Sequence, residues 1–197
     1  TIKTSWNNKE YLVNSSDKGE WRTRISTPQA GGPYYIIVSD ATRIRLDNVL
    51  IGEVWLCAGQ SNMEMPIGSW GKINNYEAEI RLAQCPEIRV LHVERAASLS
   101  PLSDLKKVRK GTWQVCLPEF AANFSAVAYF FAKNLHRHLN VPIGVITASW
   151  GGTIAESWIS KEAITRITDL DSCEKDTLKE YSVDRDGPNI HSVLFNA

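Results

Sequence analysis

The chain has 197 residues, of which 43% are hydrophobic and 22% charged, and its 22 Lys and Arg balance 22 Asp and Glu. This composition is typical of a globular protein with a sizeable core, and zero net charge argues against bulk electrostatic binding to nucleic acid or an anionic membrane. No apolar run approaches the roughly 20 residues that span a bilayer, so we predict no membrane span. The basic cluster at 106–110 is interpreted as a solvated loop.

Residues 1–48 are predicted to form strands of a partial β-rich, sandwich-like domain. Segments 20–26 and 42–46 alternate between apolar and polar residues, as a half-buried strand does. Segment 34–38 is apolar and follows a Gly- and Pro-containing cluster at 29–33, which predicts a turn and then a strand.

From residue 49 onward, strands alternate with helices. This order predicts an α/β domain over 49–197, built on a parallel sheet covered by helices. The helix after Ser125 has the clearest pattern, with a Ser N-cap and one apolar stripe. The predicted strands are 53–58, 88–93 and 141–148, and the predicted helices are 74–84, 126–139 and a short one near residue 153.

Two loops at the carboxyl ends of predicted strands form a candidate functional site. Ser61 follows the strand that stops at Gly59, and Gly151-Gly152 follows the strand that ends near Ala148. Because sites in parallel sheets form at carboxyl strand ends, Ser61 is a candidate nucleophile and the glycine loop a candidate source of oxyanion donors. Ser61-Asn-Met-Glu64 also matches a capping box, in which Ser61 only caps a helix. Both interpretations stay open on spacing alone.

A Ser nucleophile needs a base, and the four histidines are weak candidates. His92 falls inside a strand, whereas His136 and His138 lie in the last turn of a helix and point to different sides of it. His191 has Asp186 upstream, at a spacing that supports a pair only weakly. The four cysteines form no Cys-x-x-Cys pair, which argues against a zinc site, and their disulfide pairing is left open. The acidic run at 169–186 is interpreted as a solvated surface.

Two blocks of the sequence resemble the sialate O-acetylesterases, SGNH-type carbohydrate esterases. The first is Gly-Glu-Val-Trp-Leu-Cys-Ala-Gly-Gln-Ser-Asn-Met-Glu-Met at 52–65, and the second is Pro-Ile-Gly-Val-Ile-Thr-Ala-Ser-Trp-Gly-Gly-Thr-Ile-Ala-Glu-Ser-Trp at 142–158. The resemblance implies a three-layer α/β/α domain beside a β-rich domain. It also implies that Ser61 attacks an acetyl carbonyl, while the N–H groups of Ser61 and of Gly151 or Gly152 hold the oxyanion. It implies no metal and no cofactor.

The family's later Asp-x-x-His block, which supplies the base, does not occur in these residues. We therefore interpret the chain as a fragment truncated at both ends, weakly active or inactive alone. The remainder of the polypeptide, or a second chain, would supply the His base. The substrates that the family implies, acetylated sialic acids, suggest a secreted or periplasmic location, although no signal peptide is visible in the chain.

Two alternatives to a sialic acid esterase remain at this stage. One is an esterase of the acetylxylan type, which would act on acetylated plant polysaccharide. The other is a non-catalytic glycan-binding module that would use Trp55, Trp70, Trp150 and Trp158 for sugar stacking.

Overall fold

The computed structural model describes residues 1–105, 112–166 and 187–197. The basic cluster at 106–110 and the acidic run at 169–186 lie outside the described residues. In chain order the elements are β1 (Ile2–Thr4), β2 (Glu10–Tyr11), β3 (Gly31–Ser39), β4 (Arg43–Ile51), β5 (Glu53–Gly59), α1 (Ser61–Glu64), α2 (Tyr76–Leu82), β6 (Cys85–Val93), β7 (Gln114–Cys116), α3 (Pro118–Ala121), α4 (Ala126–Leu139), β8 (Ile143–Ser149), a 3₁₀ turn (Ala155–Trp158) and α5 (Lys161–Ile164).

The first four strands form an antiparallel sheet in the order β2-β1-β3-β4. The strand predicted at 20–26 is wrong, because this segment pairs with no described strand and keeps most of its side chains exposed. Its contact to the sheet region is a hydrogen bond from Trp6 Nε1 to Ser26 O at 2.9 Å. The turn predicted over 29–33 is shorter than expected, since β3 already begins at Gly31.

The second sheet has the order β5-β8-β6-β7. Strands β5 and β6 both run parallel to β8, and β7 pairs antiparallel to β6. The predicted mixed α/β class with a parallel-containing sheet is therefore confirmed. The chain passes from the first sheet to the second at Gly52, between β4 and β5. The division into a β-rich domain and an esterase domain stays a prediction.

Helix α4 provides much of the core that covers the second sheet. Its N-terminus forms as predicted, because Ser125 Oγ accepts a hydrogen bond from Ala128 N at 3.2 Å. Tyr129 of this helix and Ile143 and Val145 of β8 are fully buried in one apolar cluster. The helix ends at Asn140 in the left-handed conformation, a common helix terminator.

None of the described helices combines the length and the hydrophobicity that crossing a membrane requires.

Candidate active site

Three parallel strands end at the same edge of the second sheet. In the register of the sheet, Gly59 at the end of β5 lies opposite Ser149 of β8, and Val93 at the end of β6 lies opposite Ala148. A hydrogen bond from Trp150 N to the carbonyl of Gly59, at 3.0 Å, continues the contact just beyond the strands. The loops that leave these strands are therefore neighbours in space, as expected for a parallel sheet.

Ser61 is the first residue of α1 and is exposed to solvent. Its hydroxyl donates to Gln60 Oε1 at 2.9 Å, and its backbone N–H makes a longer contact, 3.4 Å, with the same oxygen. The capping-box interpretation of Ser61 is wrong, because the N-cap of α1 is Gln60 and the Glu64 side chain bonds elsewhere. The Ser61 hydroxyl therefore has no capping role in α1.

Glu64 joins the three loops. Its Oε2 accepts a hydrogen bond from Gly151 N at 2.8 Å, and its Oε1 accepts one from Arg95 Nε at 2.9 Å and a second from the same guanidinium. The Glu64 side chain is only 15% exposed. A charge-assisted hydrogen bond is stronger than one between neutral groups, so a single carboxylate holds the loops after β5, β6 and β8 together.

The backbone at Gly151 lies directly against Ser61. A Cβ atom built on Gly151 would be 2.9 Å from Glu64 Oε2 and 3.5 Å from Ser61 Cβ. Only glycine allows this approach without moving the carboxylate. However, the Gly151 N–H already donates a hydrogen bond to Glu64. Of the two predicted glycine donors, Gly151 is therefore the one whose N–H already has an acceptor.

Gly152 differs from Gly151 in both backbone and surroundings. Its φ is +80°, a conformation that favours glycine, and a built Cβ atom would meet nothing within 4 Å. Within the described residues its N–H has no hydrogen-bond acceptor, whereas its carbonyl accepts a bond from Asn189 Nδ2 at 3.3 Å. Gly152 is thus anchored through its carbonyl, with open space where a Cβ atom would lie.

Further hydrogen bonds fix the loop that contains the glycines. Thr153 Oγ1 donates to the carbonyl of Trp150 at 2.7 Å and accepts from Trp158 Nε1 at 2.9 Å. The indole of Trp158 is therefore engaged in holding this loop. Trp150 lies beside Arg95, whose guanidinium carbon is 5.7 Å from the ring centroid.

Two other tryptophans lie in different surroundings. Trp55 packs edge-on against Phe131 of α4, with ring centroids 5.3 Å apart. Trp70 is 68% exposed. Trp55 and Trp158 thus both have partners within the protein.

Three of the four histidines bond to groups other than Ser61. His92 Nδ1 lies 3.3 Å from Thr147 Oγ1 within the sheet. The Nδ1 atoms of His136 and His138 each lie 2.8 Å from a backbone carbonyl oxygen at the end of α4. These contacts agree with a structural role for His92 and with the positions of His136 and His138 near the helix end.

His191 belongs to the last described segment, 187–197, which packs against the 3₁₀ turn and the loop after β6. Asp186, its predicted partner, lies outside the described residues. In the part of the chain that the structure describes, the hydrogen bonds that Ser61 donates go to Gln60 and not to a histidine.

Sequence reasoning missed Glu64 and Arg95 as contacts of this site. The capping box gives Glu64 only a helix-capping role, and no motif in the sequence marks Arg95. The rule that pointed to Ser61 and Gly151 could have found Arg95, since it stands two residues after the end of β6. No comparable signal marked Glu64, whose partners are 31 and 87 positions away in sequence.

Residues 51–194 match the family model described as "Carbohydrate esterase, sialic acid-specific acetylesterase". The chain belongs to this carbohydrate esterase family. The family resemblance seen in the two sequence blocks is confirmed. The match covers every residue of the site built around Ser61, Glu64 and Gly151.

Curated relatives of this esterase family align with nearly the whole chain. It is 33% identical to the sialate O-acetylesterases of Pongo abelii and Homo sapiens, each over 190 residues that cover 90% of this chain and 34% of the relative. The mouse enzyme of the same name is 29% identical over 208 residues. The chain thus spans about a third of the length of the curated relatives it matches.

A solved structure shows the same fold. The crystal structure of a carbohydrate acetylesterase from Xanthomonas citri superposes with a TM-score of 0.79 at 28% identity, covering 99% of this chain and 39% of the other. The predicted fold class is confirmed as a mixed α/β fold with a parallel-containing sheet, consistent with an SGNH-hydrolase-like domain.

Proposed function

We propose that this chain carries the nucleophile of a serine carbohydrate O-acetylesterase that removes acetyl groups from sialic acids. The observation that carries the proposal is the exposed Ser61 hydroxyl, which stands beside a glycine loop at the shared edge of the parallel strands. Sialic acid esters are the first choice of substrate because the curated relatives are named sialate O-acetylesterases. Such a glycan substrate favours a secreted or periplasmic location.

In the proposed reaction, Ser61 Oγ attacks the acetyl carbonyl carbon while a base takes the hydroxyl proton. The tetrahedral intermediate collapses, the sugar oxygen leaves with a proton, and the acetyl group stays on Ser61 as an ester. Water activated by the same base then hydrolyses this ester, releases acetate and restores the Ser61 hydroxyl. The exposure of Ser61 supports this role, since a bulky sugar must reach the hydroxyl.

The oxyanion would be held by the backbone N–H groups of Ser61 and Gly152. Two observations support this pair. The Ser61 N–H makes only a long contact, 3.4 Å, and the Gly152 N–H has no acceptor among the described residues. The earlier expectation for Gly151 is replaced by a supporting role, because its N–H is bonded to Glu64.

Glu64 would act as a positioning residue in this mechanism. Its carboxylate orients the Gly151 peptide and, through that peptide, the neighbouring Gly152 N–H. Arg95 neutralises the carboxylate and restrains it. Preorganised donors stabilise developing charge without reorganisation during the reaction, so the rigidity of this loop bears directly on the rate.

The base is proposed to be an imidazole from the remainder of the polypeptide or from a second chain. Gln60, the present partner of the Ser61 hydroxyl, has a neutral amide oxygen, which cannot accept a proton at neutral pH. An incoming imidazole would replace this amide as the acceptor of the hydroxyl proton.

The decisive experiment measures acetate release from O-acetylated sialic acid and from acetylated xylan by residues 1–197, with and without added imidazole. We expect slow turnover alone and a faster rate with imidazole, since a Ser without its base loses most of the triad's catalysis. Ser61→Ala should remove the imidazole-dependent rate and leave only the uncatalysed reaction of imidazole with the ester. Ser61 is exposed, so this variant should keep its melting temperature.

Undiminished imidazole-dependent turnover in Ser61→Ala would refute the serine mechanism. Faster release from xylan than from sialic acid would reassign the substrate and keep the nucleophile. Rapid, Ser61-dependent turnover without imidazole would place the base within these 197 residues and point to His191.

A further inference from the structure

Cys85 and Cys116 lie opposite each other across two antiparallel strands. Cys85 opens β6, Cys116 ends β7, and the two are paired in the register of the sheet. Residues directly opposed in an antiparallel pair have Cα atoms about 4.5 or 5.5 Å apart, depending on the type of pair. Both values fall within the roughly 4.4–6.8 Å that a disulfide requires.

The other described cysteine has no such partner. Cys57 is on β5, and β8 lies between β5 and β6. With about 4.8 Å between neighbouring strands, Cys57 is roughly 10 Å or more from either thiol of the pair, too far for a bond. Cys173 lies outside the described residues.

The local strand pairing is weak at this position. The register shifts between Cys85 and Arg89, where β6 contains Pro86, which has no N–H to donate. The Cys85–Cys116 pair is therefore separated from the pairs Arg89–Val115 and Val90–Gln114. A covalent link here would hold an end of the β6–β7 ladder that backbone hydrogen bonds hold poorly.

We propose that Cys85 and Cys116 are a redox modification site, in which the two thiols form a disulfide with each other across the strands. The oxidant is a small-molecule disulfide such as oxidised glutathione. The Cys85 thiolate attacks one sulfur of the oxidant, which gives a mixed disulfide and releases one reduced glutathione. The Cys116 thiolate then attacks the Cys85 sulfur and releases the second. Two protein thiols are oxidised, one glutathione disulfide is reduced, and the two thiol protons end on the two glutathione molecules.

The environment of the thiols determines the order and the speed of these steps. Cys85 is partly exposed, whereas Cys116 is fully buried, so the oxidant reaches Cys85 first. Burial, and secondly the nearby Cys85 thiol, raises the pKa of Cys116 to about 12. Because the thiolate is the reacting form, ring closure in the folded protein is slow near neutral pH and faster during folding, before Cys116 is buried.

The disulfide would close the segment between β6 and β7, which carries Arg95 of the candidate site. A loop closed between residues 85 and 116 strongly restricts the conformations of the unfolded chain. We therefore expect oxidation to raise the melting temperature by about 10 °C. This inference does not depend on the proposed esterase function.

The test refolds residues 1–197 with oxidised glutathione or with a reducing agent, blocks free thiols under denaturing conditions and maps the peptides by mass spectrometry. We expect a linked Cys85–Cys116 peptide, a free Cys57 and a higher melting temperature that reduction reverses. Cys85→Ser, at the partly exposed position, should abolish the link and the rise. Cys57→Ser is the matched control and should keep both.

Any of three results would overturn the proposal. They are two blocked free thiols at Cys85 and Cys116 after oxidative refolding, a link from either residue to Cys57 or Cys173, and the same rise in melting temperature in Cys85→Ser.

Discussion

Two partly buried carboxylates, Glu64 and Glu79, have similar partners but lie in different parts of the molecule. Glu64 accepts hydrogen bonds from Arg95 and a backbone N–H, and Glu79 accepts them from Lys133 Nζ at 2.8 Å and Tyr129 OH at 3.1 Å. Their side chains are 15% and 25% exposed. Each carboxylate therefore accepts hydrogen bonds from one cation and one neutral donor in a partly buried environment.

The two carboxylates differ in the structural elements that their hydrogen-bond partners belong to. Glu79 is on α2, and both of its partners are on α4, so this carboxylate connects two helices that cover the sheet. Glu64 connects loops at the carboxyl ends of three strands, beside Ser61. The same donor–acceptor chemistry thus stabilises packing in one place and positions the backbone of a candidate site in the other. Glu79 is the natural control for any experiment on Glu64.

The largest effect is expected from Gly151→Ala. The new Cβ would lie 2.9 Å from Glu64 Oε2, so either the carboxylate or the glycine loop must move. A displacement of about 1 Å at a catalytic group costs on the order of 100-fold in rate. We expect such a loss in kcat for acetyl-ester hydrolysis in the imidazole-supplemented assay. Wild-type kcat in a folded Gly151→Ala protein would show that the close contact does not matter for the reaction.

Glu64→Gln should reduce kcat by roughly 10- to 100-fold and change KM little, since the variant weakens the positioning of an oxyanion donor rather than ground-state binding. The matched Glu79→Gln should leave kcat unchanged. Steady-state kinetics of both variants measure the contrast. An equal loss in the two variants would indicate a general effect of losing a carboxylate on folding, not a role for Glu64 in the site.

Glu79→Gln should lower the stability of the folded protein, although it leaves kcat unchanged. Glu79→Gln removes the charge from a hydrogen-bonded pair between α2 and α4, and we expect a cost of about 1 kcal/mol after allowing for partial solvent screening. For a chain of this size that corresponds to a drop of about 2–4 °C in melting temperature, measurable by circular dichroism. A melting temperature equal to that of the wild type would mean that the ion pair adds nothing to helix packing.

The smallest effect is a pH dependence of the same cluster. The hydrogen bond from Lys133 lowers the pKa of Glu79, with a further contribution from Tyr129, although burial opposes the shift. A carboxyl group with a lowered pKa in the folded state contributes stability above its unfolded pKa of about 4.3 and loses it as the pH falls through the folded value. Urea unfolding between about pH 6 and pH 3 should therefore show a shallower acid loss in Glu79→Gln than in the wild type. Identical slopes would contradict a lowered pKa for Glu79.

The elements with strong local signals were predictable. The predicted range of α4, 126–139, was correct, because a Ser N-cap and a left-handed Asn after the last turn are local features of helix ends. The strands that precede Ser61 and Gly151 were found for a similar reason, since short apolar runs ended by glycine or polar residues mark buried strands. The strand predicted at 20–26 was wrong, although the alternation of apolar and polar residues there is as regular as in a strand. The segment pairs with no described strand, and the sequence alone does not show this.

The sequence by itself determined the family, the α/β order of elements and the two loops that carry Ser61 and the glycines. These properties follow from contiguous residues, in which periodicity and motif spacing are visible directly. Only the tertiary structure decided that Glu64 bonds to Gly151 and Arg95 instead of capping α1, and that Cys85 faces Cys116. Each of these pairings depends on which strands become neighbours and in which register, and backbone hydrogen bonding between distant segments settles both.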